Sequence, residues 1–345
     1  MADSFLHAKY YITDNPPWLS ELIPLGLNKF AIVYPPAPAL LLIPFVAIFG
    51  ANFSQTLFAN LIGAGIVVSS AVLCFEITKN KAKTLWLTLL VAFGNILWFM
   101  SSTGSVWVLG QTVAVLFLLL SILALEKNKS SILIGLLFGI AFLSRVEVIF
   151  AFPFFFFLIK KNKFNIFIGL IPFILFYLFY NFLRFNTFFE TGYSLIPGVL
   201  QEPWYSKGII HPSYILTNLK VMFTSLPIFR SEFPFIIPSW GGLSIWITTP
   251  AFIYSLFANI KEKSVYLSWL AMLPILLLIT MHGETGYAQF GYRFAADLYP
   301  FLFFLIIKYL AKHKLNWLHW TLLILSIIVN AWGVILINKF GIVLP

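Results

Sequence analysis

Long apolar segments separated by short polar links dominate the pattern along the chain. A helix needs about 20 mostly apolar residues to cross a bilayer, and ten segments come near that length. They are residues 54–78, 84–102, 105–126, 131–144, 146–159, 164–183, 243–260, 265–281, 292–311 and 315–338. We therefore expect an all-α polytopic membrane helix bundle with about 10 transmembrane helices. The fourth and fifth segments are short, and predict a tight hairpin or a kinked pair around Arg145 and Glu147.

The same pattern divides the chain into four parts. Residues 1–53 form an outer N-terminal segment, 54–183 a six-helix part, 184–242 a long extracytoplasmic loop and 243–345 a four-helix part. Within the first part, residues 37–49 are apolar but include Pro38 and Pro44. Apolar stretches of about 10 to 14 residues are more often interfacial or re-entrant than spanning. We expect this stretch to be an interfacial helix on the outer surface.

Charged residues give the predicted orientation. Thirteen lysines fall in every second link of the ten-span pattern, at positions 79, 81, 83, 127, 129, 160, 161, 163, 261, 263, 308, 312 and 314. Cytoplasmic links of membrane proteins carry such an excess of positive charge. The formal net charge of +10 is therefore explained by topology. The bases lie in short clusters between apolar runs, so we do not expect nucleic acid as a partner.

Composition supports a chain surrounded by lipid. Hydrophobic residues make up 60% of the 345 and charged residues 10%, whereas soluble domains have about 25% charged residues. Cys74 is the single cysteine, which excludes an intrachain disulfide. No Gly-rich phosphate loop, metal-ligand spacing or Ser–His–Asp pattern stands out, so no metal ligand is predicted.

The four arginines (Arg145, Arg184, Arg230 and Arg293) all fall on the predicted outer side, with nine of the twelve acids. Topology alone does not select arginine over lysine. The planar guanidinium binds phosphate or carboxylate through two parallel hydrogen bonds, which a lysine cannot do. This sorting indicates an outer site for an anionic substrate.

The segment around Tyr292 contains the densest candidate chemistry. Arg293 and Asp297 are four residues apart, and in an α-helix they would share one face. They form either an ion pair that fixes the helix end or a phosphate site in which Asp297 orients Arg293. Arg145 with Glu147 allows the same two interpretations. Arg184 lies in an aromatic-rich stretch typical of the membrane interface.

Three acids of the N-terminal segment, Asp3, Asp14 and Glu21, are free enough to act as bases. Spacing alone favours solvated surface charges for each of them. A catalytic role therefore depends on what else they are placed beside.

Several short motifs, in their order along the chain, resemble the multi-pass glycosyltransferases of the GT-C class, relatives of protein O-mannosyltransferases and aminoarabinose transferases. They are Ala2-Asp3-Ser-Phe-Leu-His-Ala-Lys, Tyr34-Pro-Pro-Ala-Pro, Val106-Trp-Val-Leu-Gly-Gln111, Leu143-Ser-Arg145, Tyr180-Asn-Phe-Leu-Arg184, Glu190-Thr-Gly-Tyr193 and Gln289-Phe-Gly-Tyr-Arg293. The motifs extend over nearly the whole chain, but each one is degenerate.

The resemblance implies transfer of a sugar from a polyprenyl-phosphate carrier to an acceptor, on the outer face of a prokaryotic plasma membrane. It makes Asp3 or Asp14 the catalytic acid candidates, with a divalent metal as an optional cofactor. Arg145, Arg184 and Arg293 become candidates for holding the carrier phosphate.

The class starts with a spanning helix that does not precede Asp3 here, so an N-terminally truncated or inactive member is also expected. A transporter or flippase of lipid-linked sugars is the alternative function, but it would place charges near the middle of the spans, where this sequence has few.

Overall fold

The computed structural model describes residues 1–16, 19, 21–190, 192–286 and 289–341, and the chain is mostly helical. The α-helices in these ranges are α1 (Ala2–Leu6), α2 (Ala37–Phe49), α3 (Gln55–Thr78), α4 (Lys81–Phe93), α5 (Leu97–Thr103), α6 (Val106–Glu126), α7 (Ser131–Ser144), α8 (Phe152–Leu158), α9 (Ile166–Phe185), α10 (Ile215–Thr224), α11 (Ile245–Thr248), α12 (Lys263–Thr280), α13 (Tyr299–Lys312) and α14 (Trp317–Phe340).

Shorter elements connect or extend these helices. Segments of 3-10 helix lie at Val146–Ala151, Lys163–Asn165, Tyr193–Leu195, Val199–Gln201, Pro203–Tyr205, Pro212–Tyr214, Pro250–Phe257 and Arg293–Leu298. Two antiparallel hairpins, absent from the all-α prediction, pair β1 (Leu22–Gly26) with β2 (Lys29–Ile32) and β3 (Ile228–Phe229) with β4 (Ile236–Ile237). Both hairpins lie in the parts predicted to be outside the membrane.

The predicted number of about ten spans was wrong. Six helices in the described part of the chain are long and apolar enough to cross a membrane, or seven if α4 and α5 are one span bent by 48°. Hydropathy counts apolar residues but not backbone continuity. The segment predicted at 243–260 is broken between α11 and the 3-10 helix that starts at Pro250, because proline has no backbone N–H to continue the helix.

The short pair predicted around Arg145 is confirmed as a break in the backbone. Helix α7 has 14 residues and ends at Ser144, and a 3-10 helix starts at Val146. At 1.5 Å per residue, α7 is about 21 Å long, less than the roughly 30 Å of a bilayer core. Arg145, between the two helices, has extended backbone angles (φ −149°, ψ 109°).

Burial orders the helices from centre to periphery. The most apolar stretches of α6 and α13 are 78% buried within the protein, whereas those of α9 and α14 are 28% buried. Helices α7 and α9 approach closely at Gly135 and Gly169, where an added Cβ would overlap the backbone of the facing helix. Small residues allow such close contact between membrane helices.

Polar side chains satisfy the backbone where helices are broken. Asn95 donates to the carbonyls of Leu90 (2.8 Å) and Val91 (2.9 Å) at the bend between α4 and α5. Asn330 of α14 donates to the carbonyl of Thr248, the last residue of α11, at 2.6 Å. Open backbone groups inside a membrane are costly unless the protein satisfies them, so these asparagines stabilise the breaks.

Contacts between helix ends identify two ends of the bundle. At one, Gln55 donates to the Gly104 carbonyl (2.7 Å) and Asn338 to Ser102 (2.8 Å). We call this the loop end, because the N-terminal segment and the 184–242 loop lie there. At the other, the lysine end, Glu262 bonds Lys308 (3.4 Å) and Lys312.

The N-terminal segment and the long loop pack together at the loop end. Their shared core is formed by Ile23, Ala31 and Val33 from the first hairpin with Ile196, Val199 and Tyr205 from the loop. The predicted helix at 37–49 is present as α2, with Pro44 inside it. These contacts form a roof over the ends of α6, α7 and α9.

Candidate functional site

A cavity of about 630 Å³ lies at the loop end, between the N-terminal segment and the bundle. Its polar lining includes Asp3, Asp14, Gln111, Arg145 and Tyr193. The two predicted acids and one predicted arginine, far apart in sequence, are therefore brought to one cavity. The side chain of Asp3 is 56% exposed and lies 3.8 Å from Nδ1 of His7, so it remains accessible.

Arg145 is held by two carboxylates. Its Nη2 and Nε atoms donate to Oδ2 of Asp297 at 2.9 and 3.3 Å, and Nη2 also forms an ion pair with Glu147. The side chain of Asp297 is completely buried, whereas that of Arg145 is 20% exposed. The three predicted residues thus form a buried ion-pair network whose positive member reaches the cavity.

The predicted pairing of Arg293 with Asp297 was wrong. Residues Arg293–Leu298 form a 3-10 helix, in which each residue turns by about 120°. Positions four apart then differ by about 120° in direction, whereas in an α-helix they differ by about 40°. Asp297 consequently bonds Arg145 across the helix interface, and Arg293 faces elsewhere.

Arg293 is buried without a carboxylate partner. Its residue is 9% exposed, Nε has no hydrogen-bond partner, and no ion pair within 4.0 Å forms with any residue the structure describes. Its backbone is fixed on both sides, because Gln111 donates to its carbonyl (2.9 Å) and its N–H donates to Gln289 (3.3 Å). A buried unpaired charge is costly, so this guanidinium is a strong candidate for binding an anion.

Two glutamates flank Arg293 beyond ion-pair distance. Burial raises the pKa of Glu21, against the opposing effects of a hydrogen bond from the Trp107 indole (2.9 Å) and of the Arg293 charge. Burial likewise raises the pKa of Glu284, again opposed by Arg293. A raised pKa makes a carboxyl a better proton acceptor than an ordinary surface carboxylate.

Glu284 was missed as a site residue by the sequence analysis, and Glu21 was considered only as one of three free acids. The signal for Glu284 was its position between Gly283 and Arg293 in the segment richest in candidate chemistry. No spacing rule links it to Glu21, because the two meet only through tertiary packing.

Tyr193 marks the point on which the charges converge. Burial, aided by the negative charge of Glu21 and opposed by Arg145 and Arg293, raises the pKa of this phenol to about 12. Both arginines therefore act on one hydroxyl group at the wall of the cavity. Burial lowers the pKa of the nearby His282, which favours a neutral imidazole there.

The remaining predicted residues have other contacts. Tyr292 is 1% exposed, and its hydroxyl donates to Asn218 (2.8 Å), which in turn donates to the His282 carbonyl (2.8 Å). Arg184 donates to the Ile32 carbonyl (2.6 Å) and to Asn181 (2.7 Å). These bonds join α10 to the 281–286 segment and α9 to β2. Neither residue is part of the cavity lining, and the lining does not include Arg293, Glu147 or Asp297 either.

Among the described residues, no group of three or more His, Cys, Asp or Glu side chains is arranged to hold an ion. Within the described residues, the arrangement offers an unpaired guanidinium on Arg293, a guanidinium on Arg145 that carboxylates fix, and the carboxylates of Asp3 and Asp14 at the cavity. These groups can bind an anion and transfer a proton.

Comparison with known proteins leaves the family open. No protein-family model matches the chain, and no match is found among curated proteins or among solved structures.

Proposed function

We propose that the chain is a membrane glycosyltransferase that takes a sugar from a polyprenyl-phosphate carrier and transfers it to an acceptor at the loop end. The extracytoplasmic face of a prokaryotic plasma membrane is the proposed location. The observation that carries the proposal is the buried, unpaired Arg293, which lies behind Gln111 and acts on Tyr193 at the wall of a cavity that holds accessible acids. That combination suits a reaction with an anionic leaving group and a hydroxyl nucleophile.

The proposed reaction assigns a role to each group. The acceptor oxygen bonds the anomeric carbon while the bond from that carbon to the phosphate oxygen breaks. The proton of the acceptor hydroxyl passes to Asp3 or Asp14, which line the cavity. The phosphate leaves with one more negative charge than it had in the donor, and Arg293 stabilises that developing charge. Groups that bind the transition state more strongly than the substrate increase the rate.

Arg145 has a supporting role in this proposal. Its bonds to Asp297 and Glu147 neutralise its charge and fix its position. It is therefore less free than Arg293 to bind a phosphate by two hydrogen bonds, and its part is to fix the cavity wall. Arg184 and Tyr292 contribute by holding the surrounding segments in place.

The test is turnover by the purified chain in proteoliposomes, with radiolabelled decaprenyl-phosphate hexoses and pentoses as donors. We expect release of the label from the lipid. Arg293→Lys should lower the rate by about 10² to 10³, the usual cost of removing one transition-state donor. Arg230→Lys, on an exposed turn of the loop, is the matched control and should leave the rate unchanged.

Other outcomes would contradict the proposal. Movement of the intact labelled lipid across the bilayer, without release of sugar, would favour the transporter or flippase function. Donor binding without release or movement would favour an inactive member. Equal rates for Arg293→Lys and Arg230→Lys would remove Arg293 from the reaction.

A further inference from the structure

A hairpin of the long loop exposes a group of large apolar side chains. It comprises residues 226–238, with β3 and β4 paired through Ile228 with Ile237 and Phe229 with Ile236. Six of its apolar residues are at least 37% exposed: Leu226, Ile228, Phe229, Phe233, Phe235 and Ile236. So many exposed apolar groups in thirteen residues mark an interaction surface, not ordinary loop surface.

The hairpin is fixed at its base. The hydroxyls of Ser225 and Ser239 are 2.6 Å apart, and the Ser225 carbonyl accepts from the Ser244 N–H at 3.0 Å. Within the turn, the Arg230 N–H donates to the Phe235 carbonyl at 2.7 Å. The apolar tip is thus presented in a defined direction by a closed loop.

The position of the tip indicates what covers it. The ring of Phe233 packs edge-on against that of Phe340 with centroids 5.4 Å apart, and Phe340 is the last residue of the span α14. The ammonium of Lys339 lies 5.8 Å from the centroid of the Phe340 ring. The hairpin is therefore level with the end of a membrane span, where the lipid head groups lie.

The surface continues onto lipid-facing helix. Along α14, Ile324, Ile328 and Ile335 are each more than half exposed, and only 28% of the most apolar stretch of this helix is buried. Aromatic side chains with a neighbouring cation are the composition preferred at a membrane interface. Both features favour lipid as the partner that covers the exposed apolar side chains of the hairpin.

We propose that the 226–238 hairpin inserts its aromatic tip into the membrane interface at the loop end. Phe229, Phe233 and Phe235 lie among the upper acyl chains, and Arg230 lies at the level of the lipid phosphates. The hairpin anchors the long loop, which forms part of the roof over the cavity, to the bilayer. This anchoring does not depend on the proposed glycosyl transfer.

Spin labels test the insertion directly. Phe229 is 76% exposed and Cys74 is fully buried, so Phe229→Cys provides a selectively labelled position. Lys207→Cys, at an exposed position of the same loop, is the matched control. Both proteins are reconstituted in vesicles of phosphatidylethanolamine and phosphatidylglycerol, and label accessibility to oxygen and to a water-soluble nickel chelate is measured.

We expect the label at position 229 to be at least several-fold more accessible to oxygen than to nickel, and the label at 207 to show the reverse order. Nickel access at 229 equal to that at 207 would overturn the proposal. Dipolar broadening between labels at 229, persisting as protein is diluted in excess lipid, would assign the surface to a second copy and also overturn it. Neither outcome bears on turnover, so failure here is distinguishable from failure of the proposed function.

Discussion

Removing the Asp297 carboxylate should strongly destabilise the protein. Asp297 is completely buried and accepts two hydrogen bonds from Arg145. Breaking a buried ion pair costs about 3 to 5 kcal/mol, because the remaining charge is left uncompensated. Glu147 still neutralises part of the Arg145 charge in Asp297→Ala, so we expect the lower value, about 3 kcal/mol. Asp297→Asn, which keeps a hydrogen-bond acceptor, should cost less, about 1 to 3 kcal/mol.

The assay is reversible unfolding in mixed micelles of dodecyl maltoside and SDS, in which the folded fraction of the protein is measured as a function of the SDS mole fraction. Glu76→Gln is the control, because Glu76 forms an exposed ion pair with Lys79 (3.0 Å) and its loss should have no measurable effect. In a double-mutant cycle, Arg145→Met combined with Asp297→Leu should be more stable than the sum of the single effects predicts. Strict additivity, or Asp297→Ala as stable as Glu76→Gln, would refute the buried ion pair.

Three further predictions concern packing, helix breaks and pH. Gly169→Ala should destabilise the protein by about 1 to 3 kcal/mol, because the new Cβ meets the backbone of α7. Gly65→Ala meets only the terminal methyl groups of the Leu116 side chain and should cost less. The SDS titration compares the two variants, and equal costs would contradict the close approach of α7 and α9. Asn330→Leu should destabilise the protein by about 1 kcal/mol, because it removes the hydrogen bond to the Thr248 carbonyl. Thr321→Val, at an exposed position of the same helix, is the control. An unchanged midpoint of the SDS titration in Asn330→Leu would mean that another group satisfies the backbone after α11. Glu21 is half-buried, and its raised pKa means that the folded state holds the carboxyl proton more tightly than the unfolded chain does. This stabilising contribution is complete below the ordinary pKa of 4.5 and is lost as pH rises through the folded-state pKa. Melting temperatures from pH 4 to pH 8 should therefore depend less on pH in Glu21→Gln than in the unchanged protein or in the exposed Glu232→Gln, and identical slopes would show that Glu21 is not buried as an acid.

The helical character could be predicted from the sequence because it depends on local hydropathy. Six helices match predicted spans to within a few residues at each end: α3, α6, α9, α12, α14, and α13 taken together with the 3-10 helix that precedes it. The number of spans could not be predicted in the same way. A break at Thr249 and Pro250 is tolerated because a distant side chain, Asn330, satisfies the backbone there, and that is a tertiary property.

The candidate site was predictable in its location but not in its pairings. The sorting of arginines to one side indicated the loop end, and the cavity there includes Arg145, Asp3 and Asp14. The partner of Asp297 depended on the change from α to 3-10 geometry at Arg293–Leu298, which no residue pattern announced. Glu21 and Glu284 approach Arg293 only because the N-terminal segment and the 281–286 segment meet in the folded chain.

Lipid-phosphate binding at Arg293 is the central claim, and native mass spectrometry of the purified chain with undecaprenyl phosphate tests it most directly. We expect one lipid bound to the unchanged protein and to Lys207→Ala, which lacks only an exposed basic side chain of the long loop. Arg293→Ala should bind about 10 to 100 times more weakly, the loss expected for charged hydrogen bonds worth about 1.5 to 3 kcal/mol. Equal affinity in Arg293→Ala and Lys207→Ala would contradict the assignment of this buried arginine to the phosphate.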